Sequence, residues 1–238
     1  MRNGIYKNRE MSLKIEKNIY TGKKMALKTV LLDFDNVIHR NLRILKHQKQ
    51  ACGKLLGDNV MLNNPQLKNA KLCKKYGHTN KILKSYGVNM SYKDFNNLLD
   101  TYYLNHNFIS SCITSDDVFL AKEWEHIIER LTDELDFHVV IFTNGGFNWC
   151  RFVLEQLHIQ PKATIISADM IESVKPDEES YNTIEEILSP QYLLADDSTK
   201  NVEALEGHSN WNTCLYLDDM TPYDVFDVVI EKNNVIYN

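Results

Sequence analysis

From Thr29 onward the apolar positions fall into two alternating rhythms. Thr29, Val30, Leu31 and Leu32 form a short apolar run that ends at Asp33, the pattern of a strand buried on both faces. Four similar runs follow, at residues 138–142, 163–167, 192–195 and 213–217. Between them apolar residues recur at helical spacing: Phe119, Trp124, Ile127, Ile128 and Leu131, then Phe147, Phe152, Val153 and Leu157, then Tyr181, Ile184 and Leu188. Strand and helix alternate, which predicts an α/β fold: a Rossmann-like parallel sheet with helices on both faces.

The alternation fails once. About 75 residues, 41–115, separate the first strand from the next βα unit and contain no convincing strand. Ser91 can cap a helix with Asp94 three residues on, and Tyr92, Phe95, Leu98, Leu99 and Tyr102 form its apolar face. Residues 74–86 read as a further helix anchored by Leu83. An all-helical insertion is the simplest account. The expected organisation is a core domain of residues 26–40 and 116–238 and a helical cap domain of residues 41–115. Residues 1–25 are polar and unpatterned, with Met1, Met11 and Met25 among them, and read as a mobile basic tail.

Composition adds exclusions. With 43% hydrophobic and 25% charged residues the chain is of ordinary globular make-up. No apolar stretch is long enough for a membrane span, and the first 28 residues lack the apolar region of a secretory signal. The net charge of −5 conceals an uneven distribution, because residues 1–28 carry eight basic and two acidic side chains. The rest of the chain is therefore acidic, which argues against a general nucleic-acid surface. The five cysteines, Cys52, Cys73, Cys112, Cys150 and Cys214, are odd in number and show no C-x-x-C spacing. They read as reduced thiols of a cytoplasmic protein.

Ligands of an open parallel sheet bind beyond the carboxyl ends of its strands. There the sequence has Asp33-Phe34-Asp35-Asn36 after the first strand, Thr143-Asn144-Gly145-Gly146 after the second, and Asp196-Asp197 with Ser198 and Asn201 after the fourth. Lys175-Pro176-Asp177 follows the third. Alone, each has a plain alternative: a strand-end turn for Asp33 and Asp35, a turn hydroxyl for Thr143, a solvated lysine, and a helix cap for Asp196 and Asp197. Jointly they place four carboxylates and one ammonium on one edge, a net charge of −3 that calls for a cation. The donors are all oxygens, so hard Mg²⁺ fits better than zinc. His39 reads as part of the mouth of this site.

As an ordered set, Asp33-Phe34-Asp35, Thr143, Lys175 and Asp196-Asp197 with Asn201 resemble the four motifs of the haloacid dehalogenase (HAD) superfamily over residues 29–217. The resemblance implies that Asp33 is the nucleophile that takes a phosphoryl group as an aspartyl-phosphate, and that Asp35 protonates the leaving oxygen and then activates water. It implies that Thr143, the Asn144 amide and Lys175 bind phosphate. Asp33, the Asp35 carbonyl and Asp197 would hold Mg²⁺, with Asp196 and Asn201 supporting. Dehalogenases of the superfamily lack the second acid, so Asp35 favours phosphoryl transfer. The insertion occupies the position called C1, which implies a small-molecule substrate rather than a phosphoprotein.

Within the insertion, Lys75-Tyr76-Gly77-His78-Thr79, followed by Leu83, Gly87, Tyr92 and Phe95, resembles the pyrimidine 5′-nucleotidase branch, as does Asn36 after Asp35. That branch implies a nucleoside monophosphate such as UMP or CMP as substrate, with Tyr76, Thr79 and Lys81 as cap contacts. Tyr76, Tyr92 and Phe95 read either as ordinary packing or as stacking surfaces for a base. Two alternatives stand beside this reading: a phosphatase of a sugar phosphate or phosphoglycolate-like acid, and an inactive HAD scaffold with a binding role.

Overall fold

The computed structural model describes residues 28–62, 64–188 and 190–236. The expected tail, residues 1–25, lies outside them. Strand β1 (Lys28–Leu32) is followed by five helices: α1 (Leu42–Val60), α2 (Pro65–Tyr76), α3 (Thr79–Ser85), α4 (Tyr92–Leu98) and α5 (His106–Cys112). The chain then runs α6 (Ser115–Glu129), β2 (Phe137–Thr143), α7 (Phe147–Gln156), β3 (Thr164–Ser167), α8 (Ala168–Ile171) and α9 (Glu178–Ile187). It ends with β4 (Tyr192–Asp196), α10 (Thr199–Glu203), β5 (Trp211–Leu215) and α11 (Pro222–Ile236).

The strands form one parallel sheet in the order β3-β2-β1-β4-β5. Alternation along them sorts the core into two layers. Val30, Leu32, Val139, Ile141, Leu193 and Ala195 share one apolar cluster with Trp124, Ile127 and Ile128 of α6, Val153 of α7 and Val225, Phe226 and Val229 of α11. Leu31, Val140, Phe142, Tyr192 and Leu194 pack on the opposite face against Tyr181 and Ile184 of α9 and Leu205. Helices cover both faces, which is why the strands read as continuous apolar runs rather than alternating ones.

Chain order reverses about β1, which has β2 on one side and β4 on the other. Leu32 is level with Ile141 and with Ala195, so Asp33 follows level with Phe142 and Asp196. The register alone brings the ends of three strands together at a topological switch point.

The structure departs from the sequence pattern in several places. Residues 74–86 are two helices, because Gly77 takes a left-handed φ of 79° and His78 turns extended to cap α3. The helix capped by Ser91 ends as a π-helical turn over Leu99–Tyr103, which swings the expected core residue Tyr102 into solvent. Phe119 is likewise exposed, off the buried stripe of α6. Strand β5 starts two residues earlier than expected and ends at Leu215. Helices α1 and α11 are elements for which the sequence carried no specific expectation.

The helical insertion buries its own apolar residues, Leu55, Leu56, Ile82, Leu83 and Phe95, in continuity with the cluster under the sheet. Several polar ties hold it over the sheet edge. The Glu172 carboxylate accepts from the main-chain N–H groups of Tyr92 (2.8 Å) and Lys93 (3.1 Å), Lys200 donates to the Lys74 carbonyl (2.9 Å), and Lys81 pairs with Asp177. Gly146 permits a close approach: a Cβ there would lie 2.9 Å from Cβ of Asn96 on α4.

Candidate active site

At the switch point Lys175 is fully enclosed and its ammonium makes three hydrogen bonds. Nζ donates to Asp33 Oδ1 at 2.9 Å, to Asp196 Oδ2 at 2.6 Å and to the Phe142 carbonyl at 2.7 Å. Burial alone would lower the Lys175 pKa; Asp196 and Asp33 outweigh it and hold the group protonated, above its ordinary value. The lysine is aimed by its own backbone. Asn144 Oδ1 accepts from Lys175 N at 2.7 Å and Asn144 Nδ2 donates to Lys175 O at 2.9 Å, so a side chain at the end of β2 clamps the segment after β3.

Asp196 is consumed by support. Besides Lys175 it accepts from Asn201 Nδ2 at 2.9 and 3.0 Å and from Ser198 N at 2.9 Å. Asp33 and Asp197 are less occupied. Among the described residues Asp33 accepts only from Lys175, and Asp197 is held by Asn36 Nδ2 at 2.9 Å. Asn36 makes that reach from a left-handed backbone position, φ 70°, which asparagine tolerates. Burial, reinforced by Asp196 and Asp197, raises Asp33 well above the ordinary carboxylate range against the pull of Lys175. Burial and Asp196 raise Asp197 in the same sense.

Carboxylate oxygens of Asp33, Asp196 and Asp197 all lie within 4.8 Å of one another. Three carboxylates around one lysine present an all-oxygen donor set that fits a hard divalent cation. Of the four carboxylates that the sequence places on this edge, three meet this closely. The Asp35 side chain stands outside this cluster and accepts instead from Gln48 Nε2 and Trp149 Nε1, each at 3.2 Å.

The remaining expected residues divide. Thr143 is buried at the end of β2, and its hydroxyl accepts from Gly145 N at 2.9 Å. Asp33, Asp35, Asn144, Lys175, Asp197 and Asn201 all border a single cleft of about 670 Å³, roofed by α1, α2 and α4. Thr79 lines the same cleft, but its hydroxyl is engaged by Asn69 Oδ1 at 3.1 Å. Tyr76 and Lys81 do not line it: Tyr76 sits at the end of α2 and Lys81 is turned to Asp177. Phe95 borders the cleft from the buried core, while Tyr92 packs edge-on against His78. His39 is buried rather than at the mouth, its ring against Phe34 and Trp149.

Among the cleft residues not anticipated are Gln48, Trp149 and His78. His78 accepts from Asn80 N through Nδ1 (3.1 Å) and bonds to the main chain of Asn144, and burial followed by Lys81 pushes its pKa down to about 4. It is therefore a neutral link between the insertion and the loop after β2. The available signal for His78 was its place beside Gly77 in the motif already noted. Gln48 and Trp149 carried none, since a glutamine in a polar stretch and a tryptophan on a helix face have many commoner roles.

The chain matches no protein-family model, and no curated protein matches it. Solved structures similar to it in fold include a HAD phosphatase from Thermococcus onnurineus, 15% identical with a TM-score of 0.48 over 85% of this chain and 98% of that one. A Had-superfamily hydrolase from Ehrlichia chaffeensis is 15% identical with a TM-score of 0.45, covering 88% and 98%. An L-2-haloacid dehalogenase from Xanthobacter autotrophicus is 13% identical with a TM-score of 0.44, covering 79% and 76%.

Proposed function

We propose that the chain is a Mg²⁺-dependent phosphomonoesterase of the HAD type, acting through an aspartyl-phosphate on Asp33. The observation that carries this reading is the Lys175 ammonium bridging Asp33 and Asp196 beside Asp197, with Thr143 closing the neighbouring strand β2, in the order the four motifs require. The Asp33 carboxylate attacks phosphorus and the ester oxygen departs with a proton from Asp35. The same Asp35 then takes a proton from the water that attacks the phosphorus, releasing inorganic phosphate and restoring Asp33. Lys175, the Thr143 hydroxyl and the Asn144 main-chain N–H stabilise the phosphoryl oxygens. Mg²⁺, held by Asp33, Asp197 and the Asp35 carbonyl, would supply Lewis-acid polarisation and charge neutralisation when bound. Asp196 and Asn201 support this set by fixing Lys175 and the turn after β4.

Residues 26–40 and 116–238 act as the core in this reading and residues 41–115 as its cap. The substrate is a nucleoside 5′-monophosphate, with a pyrimidine preferred. A cleft of about 670 Å³ accommodates a molecule of that size, and its roof is rich in carboxamides, Gln66, Asn69, Asn96 and Asn97, suited to the hydrogen-bonding edge of a base. Tyr76 and Lys81 have no part in that contact. The five free cysteines fit a reducing, cytoplasmic setting. A sugar phosphate or small phosphorylated acid is the second reading, since the same carboxamides suit hydroxyl groups.

The test is a panel of UMP, CMP, purine monophosphates and sugar phosphates, assayed with the full chain in Mg²⁺, with EDTA and Asp33→Asn as controls. Turnover of nucleotides that both controls abolish is expected. Hydrolysis undiminished in Asp33→Asn would overturn the mechanism, and much faster turnover of sugar phosphates would overturn the nucleotide assignment in favour of the second reading.

A further inference from the structure

The carboxyl group of Asp35 is gripped from two different parts of the molecule. Trp149, on the first turn of α7, is 3% exposed and donates its single N–H to Asp35 Oδ1. Its ring lies flush on the loop after β2, where a Cβ at Gly145 would come within 3.1 Å of Trp149 Cδ1. The indole is thus fixed by packing, and its buried donor needs the acceptor that Asp35 provides. The other oxygen, Oδ2, accepts from Gln48 Nε2, on α1 of the helical insertion. Two donors on two oxygens define the plane of the carboxyl group as well as its position.

The Gln48 arm is itself anchored. Asn41 caps α1 by accepting from Arg43 N and Ile44 N, and its Nδ2 donates to the Cys112 carbonyl (2.9 Å) and Asp117 Oδ2 (2.8 Å). Gln48 lies two turns beyond that pinned end. The Trp149 bond comes from the sheet-bearing part of the chain, whereas the Gln48 bond exists only while α1 is seated above the site. Resting on the phosphomonoesterase reading, we propose that Gln48 and Trp149 are positioning residues for Asp35, and that Gln48 makes proton delivery to the leaving oxygen depend on the seating of the insertion.

A positioned acid matters only where the leaving group needs a proton. An alkyl phosphate requires one, whereas 4-nitrophenolate departs without it. The experiment measures kcat/KM for the fastest alkyl ester of the panel above and for 4-nitrophenyl phosphate, in wild type, Trp149→Phe and Gln48→Met. Asp35→Asn is the reference for complete loss of the acid. The alkyl-to-aryl ratio is expected to fall about tenfold in each positioning variant, the worth of a single hydrogen bond, and by about 10² or more in Asp35→Asn. General damage to the site would lower both esters together and leave the ratio in place. Such an unchanged ratio in Gln48→Met overturns the dependence on the insertion, and in both variants it overturns the clamp. Gln48 is half-buried on a helix, so its variant answers even if Trp149→Phe folds poorly. A wild type inert toward every ester would instead overturn the phosphomonoesterase reading, and the clamp's role with it.

Discussion

Replacing Lys175 by methionine removes an ammonium while nearly preserving the volume of a side chain with no exposed surface. Three acceptors lose their donor: Asp33 Oδ1, Asp196 Oδ2 and the Phe142 carbonyl. Removing one partner of a buried ion pair costs about 3–5 kcal/mol, because the surviving charge is left uncompensated. Asp196 retains Asn201 and Ser198 N, and the Asp33 side chain keeps a 12% exposed edge. The lower end of that range, about 3 kcal/mol, is therefore the expectation. With a urea m-value of about 2–3 kcal/mol/M, the midpoint should fall by about 1 to 1.5 M. Far-UV circular dichroism in urea with EDTA reads this without interference from bound cations. In an Asp33→Asn background one of the two orphaned carboxylates is already neutral, so the same substitution should cost about 1–2 kcal/mol less. A midpoint shift below about 0.4 M, or costs that simply add, would refute the picture of a lysine compensating two buried carboxylates.

Three further outcomes follow from the geometry. Mg²⁺ at a hundredfold its Kd should stabilise the wild type by about 2.7 kcal/mol, read as a rise in the thermal midpoint, and Asp197→Asn should abolish the rise. Trp124→Phe should destabilise by about 1–3 kcal/mol in urea titrations, since it strands the buried Val37 carbonyl that accepts from Trp124 Nε1 at 3.0 Å. Gly146→Val should drive α4 away from the loop after β2, where a Cβ comes within 2.9 Å of Asn96, and limited trypsin digestion should then cut faster within residues 65–103.

The sheet was legible because both of its faces are covered, so each strand appears as an apolar run and the strand ends mark where ligands bind. Asp33 and Asp196 come together, and β2 ends beside them at Thr143, because parallel register leaves little freedom there once the strand order is known, whereas Lys175 is brought in by the Asn144 clamp on the segment after β3. The insertion was harder to read. In α1 the buried residues Ile44, Leu45, Ala51, Leu55 and Leu56 recur at helical spacing, but Lys46, Gln48, Lys49 and Gln50 interrupt the stripe, and those residues line the cleft. The polar wall of a cleft thus masked a helical pattern. Tyr102 was misplaced for a different reason: one π-helical turn rotates every side chain after it, and apolar spacing does not register that rotation. The partners of Asp35 come from positions 13 and 114 residues away in the chain, contacts that only the tertiary fold can supply.

The central claim is that phosphate passes through a covalent intermediate on Asp33. Protein quenched during turnover of 4-nitrophenyl phosphate and treated with borohydride should yield a peptide in which residue 33 is reduced to homoserine, detected by mass spectrometry. Substrate-free protein should yield that peptide unmodified. Steady phosphate release with residue 33 unreduced in every quenched sample would contradict the account.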